Sequence, residues 1–197
     1  MKLLFIWNWI MRTYNYINKY LKLNTDDEAV VKFGLEIMIE LIIAIIVVSV
    51  VSIVFGMIME SIVFLLFLIP LRQNAGGYHT KSQISCGILS LIILIGVLVI
   101  INKYNVSREL QLFLCFVNSC IICLFAPVDN SNNKLDDFEK KVYANRTKKI
   151  LLFELLIFIL LFICQYSYWS AIIAIAIAIT GALVLIGFIQ NKRGDNV

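Results

Sequence analysis

The apolar run from residue 33 to residue 71 sets the first limit on what this chain can fold into. It is 39 residues long and carries charge only at Glu36, Glu40 and Glu60. A helix needs about 20 apolar residues to cross the hydrocarbon of a bilayer. The run is therefore too long for one crossing and suits two, divided by a hairpin near residues 52–56. Further runs at 84–101, 110–127, 150–164 and 169–189 are each close to one crossing. With 61% hydrophobic residues and a mean hydropathy of +0.90, the chain has more apolar surface than a soluble domain of its size can bury. The last run alternates alanine and isoleucine from Ala174, a strand-like pattern. An isolated strand leaves its backbone unsatisfied in lipid, so this run too reads as a helix. The expected fold is an all-α integral membrane protein with about six transmembrane helices.

The charges orient these spans. With the N-terminus in the cytoplasm, segments 1–32, 72–83, 128–149 and 190–197 face inward and hold 15 of the 17 lysines and arginines. Only Lys103 and Arg108 fall outside, a strong positive-inside pattern. A single span over 33–71 would turn the basic 134–149 segment outward and destroy the bias. The chain reads as one membrane domain, residues 1–197, with a cytoplasmic or interfacial segment 1–32, a six-span core 33–190 and a tail 191–197. Within the first segment, residues 1–23 read as an amphipathic helix lying in the interface. Trp7, Trp9, Tyr14, Tyr16 and Tyr20 favour the headgroup level, and no small-residue cleavage site marks a signal peptide. The net charge of +4 suits anionic lipid, and no basic motif with interleaved aromatics points to nucleic acid.

Five cysteines cannot pair completely. Cys115, Cys120, Cys123 and Cys164 lie in apolar runs. Cys120 and Cys123 have the spacing of a redox or zinc pair, but isoleucines separate them and no histidine is near, so they read as packing residues. Cys86 is different. It ends a polar island, residues 72–86, which also holds His79, the only histidine of the chain. A thiol needs a base or cation nearby to act as a nucleophile at neutral pH. The island reads as the active site of a membrane-embedded cysteine peptidase.

Arg72, the Gly76-Gly77 pair, His79 and Cys86, in that order and spacing, resemble the core motif of the accessory gene regulator protein B family. The stretch Ala126, Pro127, Val128 and Asp129 resembles that family as well, as do the length, the hydropathy and the amphipathic N-terminus. Where the family often has a proline within a basic run, residues 130–137 read Asn-Ser-Asn-Asn-Lys-Leu-Asp-Asp. The resemblance implies a bacterial cell-membrane endopeptidase, with its active site at the cytoplasmic face, that matures a quorum-sensing peptide. It implies a pro-autoinducer substrate with an amphipathic leader, a short core bearing a cysteine or serine, and an acidic tail. It also favours a homodimer.

On this reading Cys86 is the nucleophile and His79 its base, with no cofactor and no metal required. Thr80 and Gln83 fit a capping box, which would start the third membrane helix at Thr80. Seven residues of helix would separate His79 from Cys86 by ~10.5 Å, beyond hydrogen-bond reach, so His79 must fold back from a loop. Gly76 and Gly77 supply the backbone freedom for that. Exposed amides of the glycine pair, or the side chains of Gln73 or Asn74, are candidate oxyanion donors. Arg72 is a supporting residue, and Asp129 either orients His79 or occupies an ordinary turn. Lys134, Lys140, Lys141, Arg146, Lys148 and Lys149 are candidate contacts for an acidic substrate tail, besides setting topology. Among the intramembrane acids, Glu36, Glu40, Glu60 and Glu154, structural pairing is the expectation. Ala174, Ala178 and Ala182, four apart, suggest a seam for close helix packing, within the chain or between two copies. A noncatalytic peptide exporter or a membrane scaffold would share the architecture but would not need Cys86.

Overall fold

The structure, a computed structural model, describes residues 25–78, 83–129 and 136–194. The expected interfacial helix of residues 1–23 lies outside them. By packing, the chain divides into residues 1–51 and residues 52–197. The described residues form six helices, and the fold is all-α.

The first unit contributes most of α1, Thr25–Phe55. Apolar side chains such as Leu41, Ile45, Ile46 and Val50 stand exposed along it, the surface of a helix solvated by lipid. The expected break in the 39-residue run falls at Gly56. Gly56 has φ +66°, its N–H bonds the Ile53 carbonyl, and the Met57 N–H bonds the Ser52 carbonyl. This is a Schellman ending, and it needs a residue that accepts the left-handed conformation.

In the second unit, α2 spans Ile58–Ala75 and α3 spans Gln83–Lys103. They are followed by α4 at Arg108–Phe125, α5 at Asp137–Ile163 and α6 at Ser167–Gly194. Ser107 caps α4 by accepting from the Leu110 N–H, and Asp136 caps α5 through a reciprocal capping box with Glu139. The helix α6 is the axis of the bundle, packed along α4 and α2 and to a lesser extent α5. Residues 171–177 are buried on every side of it. That full burial explains why this run carries no polar face.

Five of the described helices, α1 to α4 and α6, are long and apolar enough to cross a membrane. This is the architecture of a multi-pass membrane protein. The sixth expected span, in α5, is the exception. Its apolar part, residues 150–163, reaches only ~21 Å at ~1.5 Å per residue, against ~30 Å of hydrocarbon. The helix gains its length instead from the basic segment before it, which holds Lys140, Lys141, Arg146, Lys148 and Lys149. Lysine stems can reach headgroups from such a position.

The expected alanine seam is buried within the chain only in part. Ala174 is buried, Ala178 half-buried and Ala182 exposed. The close approaches on α6 are made by glycines. A Cβ on Gly181 would lie 2.7 Å from Asn118 Cβ, and one on Gly187 would lie 2.5 Å from the backbone of Gly77 and Tyr78. Gly181, seven residues after Ala174, lies on nearly the same stripe, whereas Gly187 lies on another side of the helix, so small residues allow close packing on more than one face.

Candidate active site

The polar island begins where α2 ends. Arg72, in its last turn, donates through both terminal guanidinium nitrogens to the carbonyls of Gly76 and Tyr78. Two carbonyls of the turn beyond the helix are thus bound by one planar fork, a geometry that lysine cannot reproduce. The chain can turn back under the guanidinium because Gly76 has φ +67° and Gly77 φ +115°.

Two other segments hold this turn by backbone bonds. The Val128 N–H donates to the Ala75 carbonyl at 3.0 Å, and Gly76 pairs with Val128 in a short parallel bridge. The Tyr78 N–H donates to the Leu183 carbonyl of α6 at 2.8 Å. No side chain fits at these crossings. A Cβ on Gly76 would stand 2.2 Å from the Val128 oxygen, and one on Gly77 would stand 2.7 Å from the Leu183 oxygen. Beneath the turn, Ala75, Val128 and Val184 form a buried apolar cluster with Ile121, Phe125 and Ala126 against it. The Gly-Gly pair, the Ala126–Asp129 stretch and α6 therefore meet at one end of the bundle.

Cys86 stands half-buried in the first described turn of α3, as a free thiol. The Arg72 guanidinium lies within Coulombic reach of it. The structure thus gives the thiol a cationic neighbour, one that sequence reasoning had assigned only a supporting role. His79, with Thr80 of the expected capping box, lies outside the described residues.

The oxyanion candidates separate clearly. The Asn74 amide donates to the Pro70 carbonyl at 2.8 Å, within its own helix, and Gln73 is exposed. The Gly76 N–H bonds Arg72 and the Tyr78 N–H bonds Leu183. The parallel bridge of Gly76 with Val128 turns the Gly77 N–H to the Val128 carbonyl, which leaves the exposed Gln73 amide as the candidate donor at this turn.

Asp129 meets Lys140 at 3.0 Å, and its backbone carbonyl accepts from Asn191 of α6 at 2.7 Å. The hydrogen bond to Asp129, and then the aspartate's charge, holds the Lys140 pKa above its ordinary value. Of the six candidate tail contacts, Lys140 is therefore engaged. Lys141, Arg146, Lys148 and Lys149 are exposed on α5, and Lys134 lies outside the described residues. Sequence reasoning missed Gly187, Asn191 and the Leu183 carbonyl. Gly187 was the available signal, a lone glycine in an apolar span.

Arg72 lends itself to a divided test. Arg72→Lys keeps a cation near Cys86 but leaves one carbonyl of the turn unbound, whereas Arg72→Ala removes both functions. The lysine variant is expected to alkylate at Cys86 within about twofold of wild type and the alanine variant to slow severalfold, as measured by iodoacetamide labelling, and both should lower the thermal midpoint.

The profile of the family described as accessory gene regulator B matches residues 10–187. A putative AgrB-like protein of Clostridium acetobutylicum is 29% identical over 120 residues, 60% of this chain and 57% of that protein. The chain thus spans little more than half the length of that relative. Accessory gene regulator protein B of Staphylococcus carnosus is 25% identical over 166 residues, 83% of this chain and 85% of that one. No solved structure matches the chain. With the family profile running through the glycine turn, Cys86, Asp129 and most of α6, the chain belongs to the accessory gene regulator B family.

Proposed function

We propose that this protein is a membrane-embedded cysteine endopeptidase that removes the C-terminal tail of a quorum-sensing pro-peptide and promotes ring closure of the remainder. The observation that carries the reading is the placing of Cys86 beside the Arg72-bound glycine turn. A half-buried thiol and a cation within electrostatic reach of it lie at one end of the bundle.

The chemistry runs through Cys86 as thiolate, with His79 taking its proton. The sulfur attacks the scissile carbonyl, and the Gln73 side-chain amide stabilises the oxyanion. Collapse expels the tail's amine, which takes the proton from His79, and leaves a thioester on Cys86. A thiol of the substrate core then attacks that thioester. The ring closes as a thiolactone and Cys86 is released as a thiol. Thioester-to-thioester exchange changes bond energy little, so a cysteine suits cyclisation better than a serine would, provided water stays out. The site lies at the cytoplasmic face by the charge bias of the sequence. The exposed cations of α5 attract the acidic tail, membrane lipid surrounds the bundle, and a second copy of the chain is a further partner.

The test needs no substrate. His79→Gln should slow alkylation of Cys86 by a small neutral reagent about tenfold at neutral pH, because less thiolate is present. Normal alkylation with lost cleavage would move His79 to protonation of the leaving group. Normal alkylation and normal cleavage would remove it from the site.

A further inference from the structure

Glu60 stands in the first turn of α2, at the end of the bundle opposite the glycine turn. It accepts a hydrogen bond from the Tyr168 hydroxyl of α6 at 2.9 Å. Tyr168 lines a cavity of about 180 Å³ formed by the end of α3, residues 104–106 and the start of α6. Tyr104 lines it as well. Ile101 and Ala171 give it a buried apolar part, and Asn105 and Ser167 bring polar groups to it.

A polar clamp fixes the two sides of this cavity. Gln111 of α4 is fully buried. Its amide nitrogen donates to the Val106 carbonyl at 2.9 Å and to the Ser167 carbonyl at 3.1 Å, and its oxygen accepts from Ser170 Oγ at 2.7 Å. The 104–106 segment and the start of α6 are thus tied to one side chain at a set separation. Tyr168 is oriented by Glu60 and by an edge-on contact with Trp169, ring centroids 5.5 Å apart. No residue lining the cavity is charged. Among the described residues Glu60 has no ion-pair partner. Arg108 is committed elsewhere: its guanidinium lies 4.2 Å over the Phe162 ring and donates to the Phe162 carbonyl. Lys103, in the last turn of α3, and Glu109, in the first turn of α4, are exposed.

Two phenol rings beside a carboxylate are the chemistry of ammonium recognition. Ring faces attract a cation, and a phenol that donates to a carboxylate carries more electron density on its ring. A primary ammonium brings three N–H donors, which the oxygens of Asn105, Ser167 and the phenols can accept. A cavity of about 150 Å³ admits a benzene-sized molecule, so this one takes a group of a few heavy atoms and not a peptide ring. Tyr104, Tyr166, Tyr168 and Trp169 gather at this end, as aromatic residues do at the headgroup level of a bilayer. We propose that the cavity binds the primary ammonium of an aminophospholipid headgroup, of the phosphatidylethanolamine kind, in the outer leaflet. Lys103, next to Tyr104, meets the phosphate of the same lipid. The site is remote from Cys86 and plays no part in the peptidase chemistry.

Native mass spectrometry of the full chain, released from nanodiscs holding phosphatidylethanolamine and phosphatidylglycerol in equal parts, tests the site. Wild type should retain phosphatidylethanolamine about fivefold or more over phosphatidylglycerol. Glu60→Gln and Tyr104→Leu should each return that ratio to the bulk mixture, while Glu109→Gln, which removes an exposed acid at the same end, should leave it unchanged. Equal retention of the two lipids by wild type, or an enrichment that survives Glu60→Gln or Tyr104→Leu, would overturn the site. An enrichment lost in Glu109→Gln as well would reduce it to surface charge and overturn it too. Should Glu60→Gln not fold, Tyr104→Leu and Tyr168→Phe decide; Tyr104 is 65% exposed, so its replacement leaves the core intact. Displacement of the bound lipid by free ethanolamine at millimolar concentration would assign the cavity to a small amine and overturn the lipid. The measurement uses no peptide and can be repeated in Cys86→Ala, so its failure is separate from any failure of the peptidase reading.

Discussion

Replacing Cys86 with alanine is expected to abolish pro-peptide cleavage, by roughly 10³-fold or more, while leaving the protein inserted and folded. The side chain is small and half-buried, and neither the Arg72 fork nor the backbone bonds of the glycine turn involve it. Substrate binding should persist, because it is assigned to other segments. Co-purification of the uncut peptide with the variant would measure this. The control changes Cys115, Cys120, Cys123 and Cys164 together to alanine or serine and should retain cleavage. Cys115 is buried beside Glu154, so this control is expected to cost some stability before it costs chemistry. Continued cleavage by Cys86→Ala would sink the nucleophile assignment. Continued peptide export by that variant, with cleavage gone, would separate transport from proteolysis in this chain.

Gly187→Ala should be the most damaging mild substitution in α6. A glycine-to-alanine change inside a helix ordinarily gains up to about 1 kcal/mol. Here the sign reverses. The added methyl would stand 2.5 Å from Gly77 C and Tyr78 N, both backbone atoms that cannot rotate away. The glycine turn must lift from α6, and the 2.8 Å bond from the Tyr78 N–H to the Leu183 carbonyl goes with it. Leaving those groups unpaired costs about 1–3 kcal/mol. The cost to activity should be larger, around 100-fold, because the Arg72 fork and Gln73 move with the turn. Gly96→Ala in α3 is the matched control. Nothing lies near the added methyl there, and both cleavage and thermal midpoint should hold or rise. Equal activity in the two variants would refute the docking of the turn on α6.

Hydropathy made the architecture legible because it reports the solvent. Long apolar runs gave helices, and the excess length of residues 33–71 gave a break where Gly56 provides one. The candidate site was picked out by rarity: the one histidine and the one cysteine in a polar setting follow Arg72 and the glycine pair in sequence. The azimuth of each helix was much less legible. In a water-soluble bundle the polar face points outward and sets the rotation. In lipid the outward and inward faces are both apolar, so that signal vanishes, and the alanine spacing of α6 marks only part of its buried surface. The backbone crossings at Val128 and Leu183 were hidden for a related reason. They depend on what glycine lacks, and no side-chain pattern records which distant carbonyl will occupy the space. The extent of α5 was obscured because its basic half read as a loop, although Asp136 and Glu139 carry a capping signal three residues apart.

The anchorage of α3 has a mechanical consequence. Its buried apolar residues, Leu94, Val97, Leu98 and Ile101, all lie in its second half, while residues 85–92 are half-buried or exposed. Among the described helices it touches only α2 and α6 to any extent, and those sparsely. Cys86 therefore sits on the less buried half of α3, eight residues or ~12 Å from a fulcrum that begins at Leu94, with Ser85 beside it engaged. A tilt of about 5° at that fulcrum carries the sulfur ~1 Å, a displacement large enough to separate a reactive alignment from an idle one. The opposing jaw, held by Val128, Leu183 and Arg72, has no comparable play.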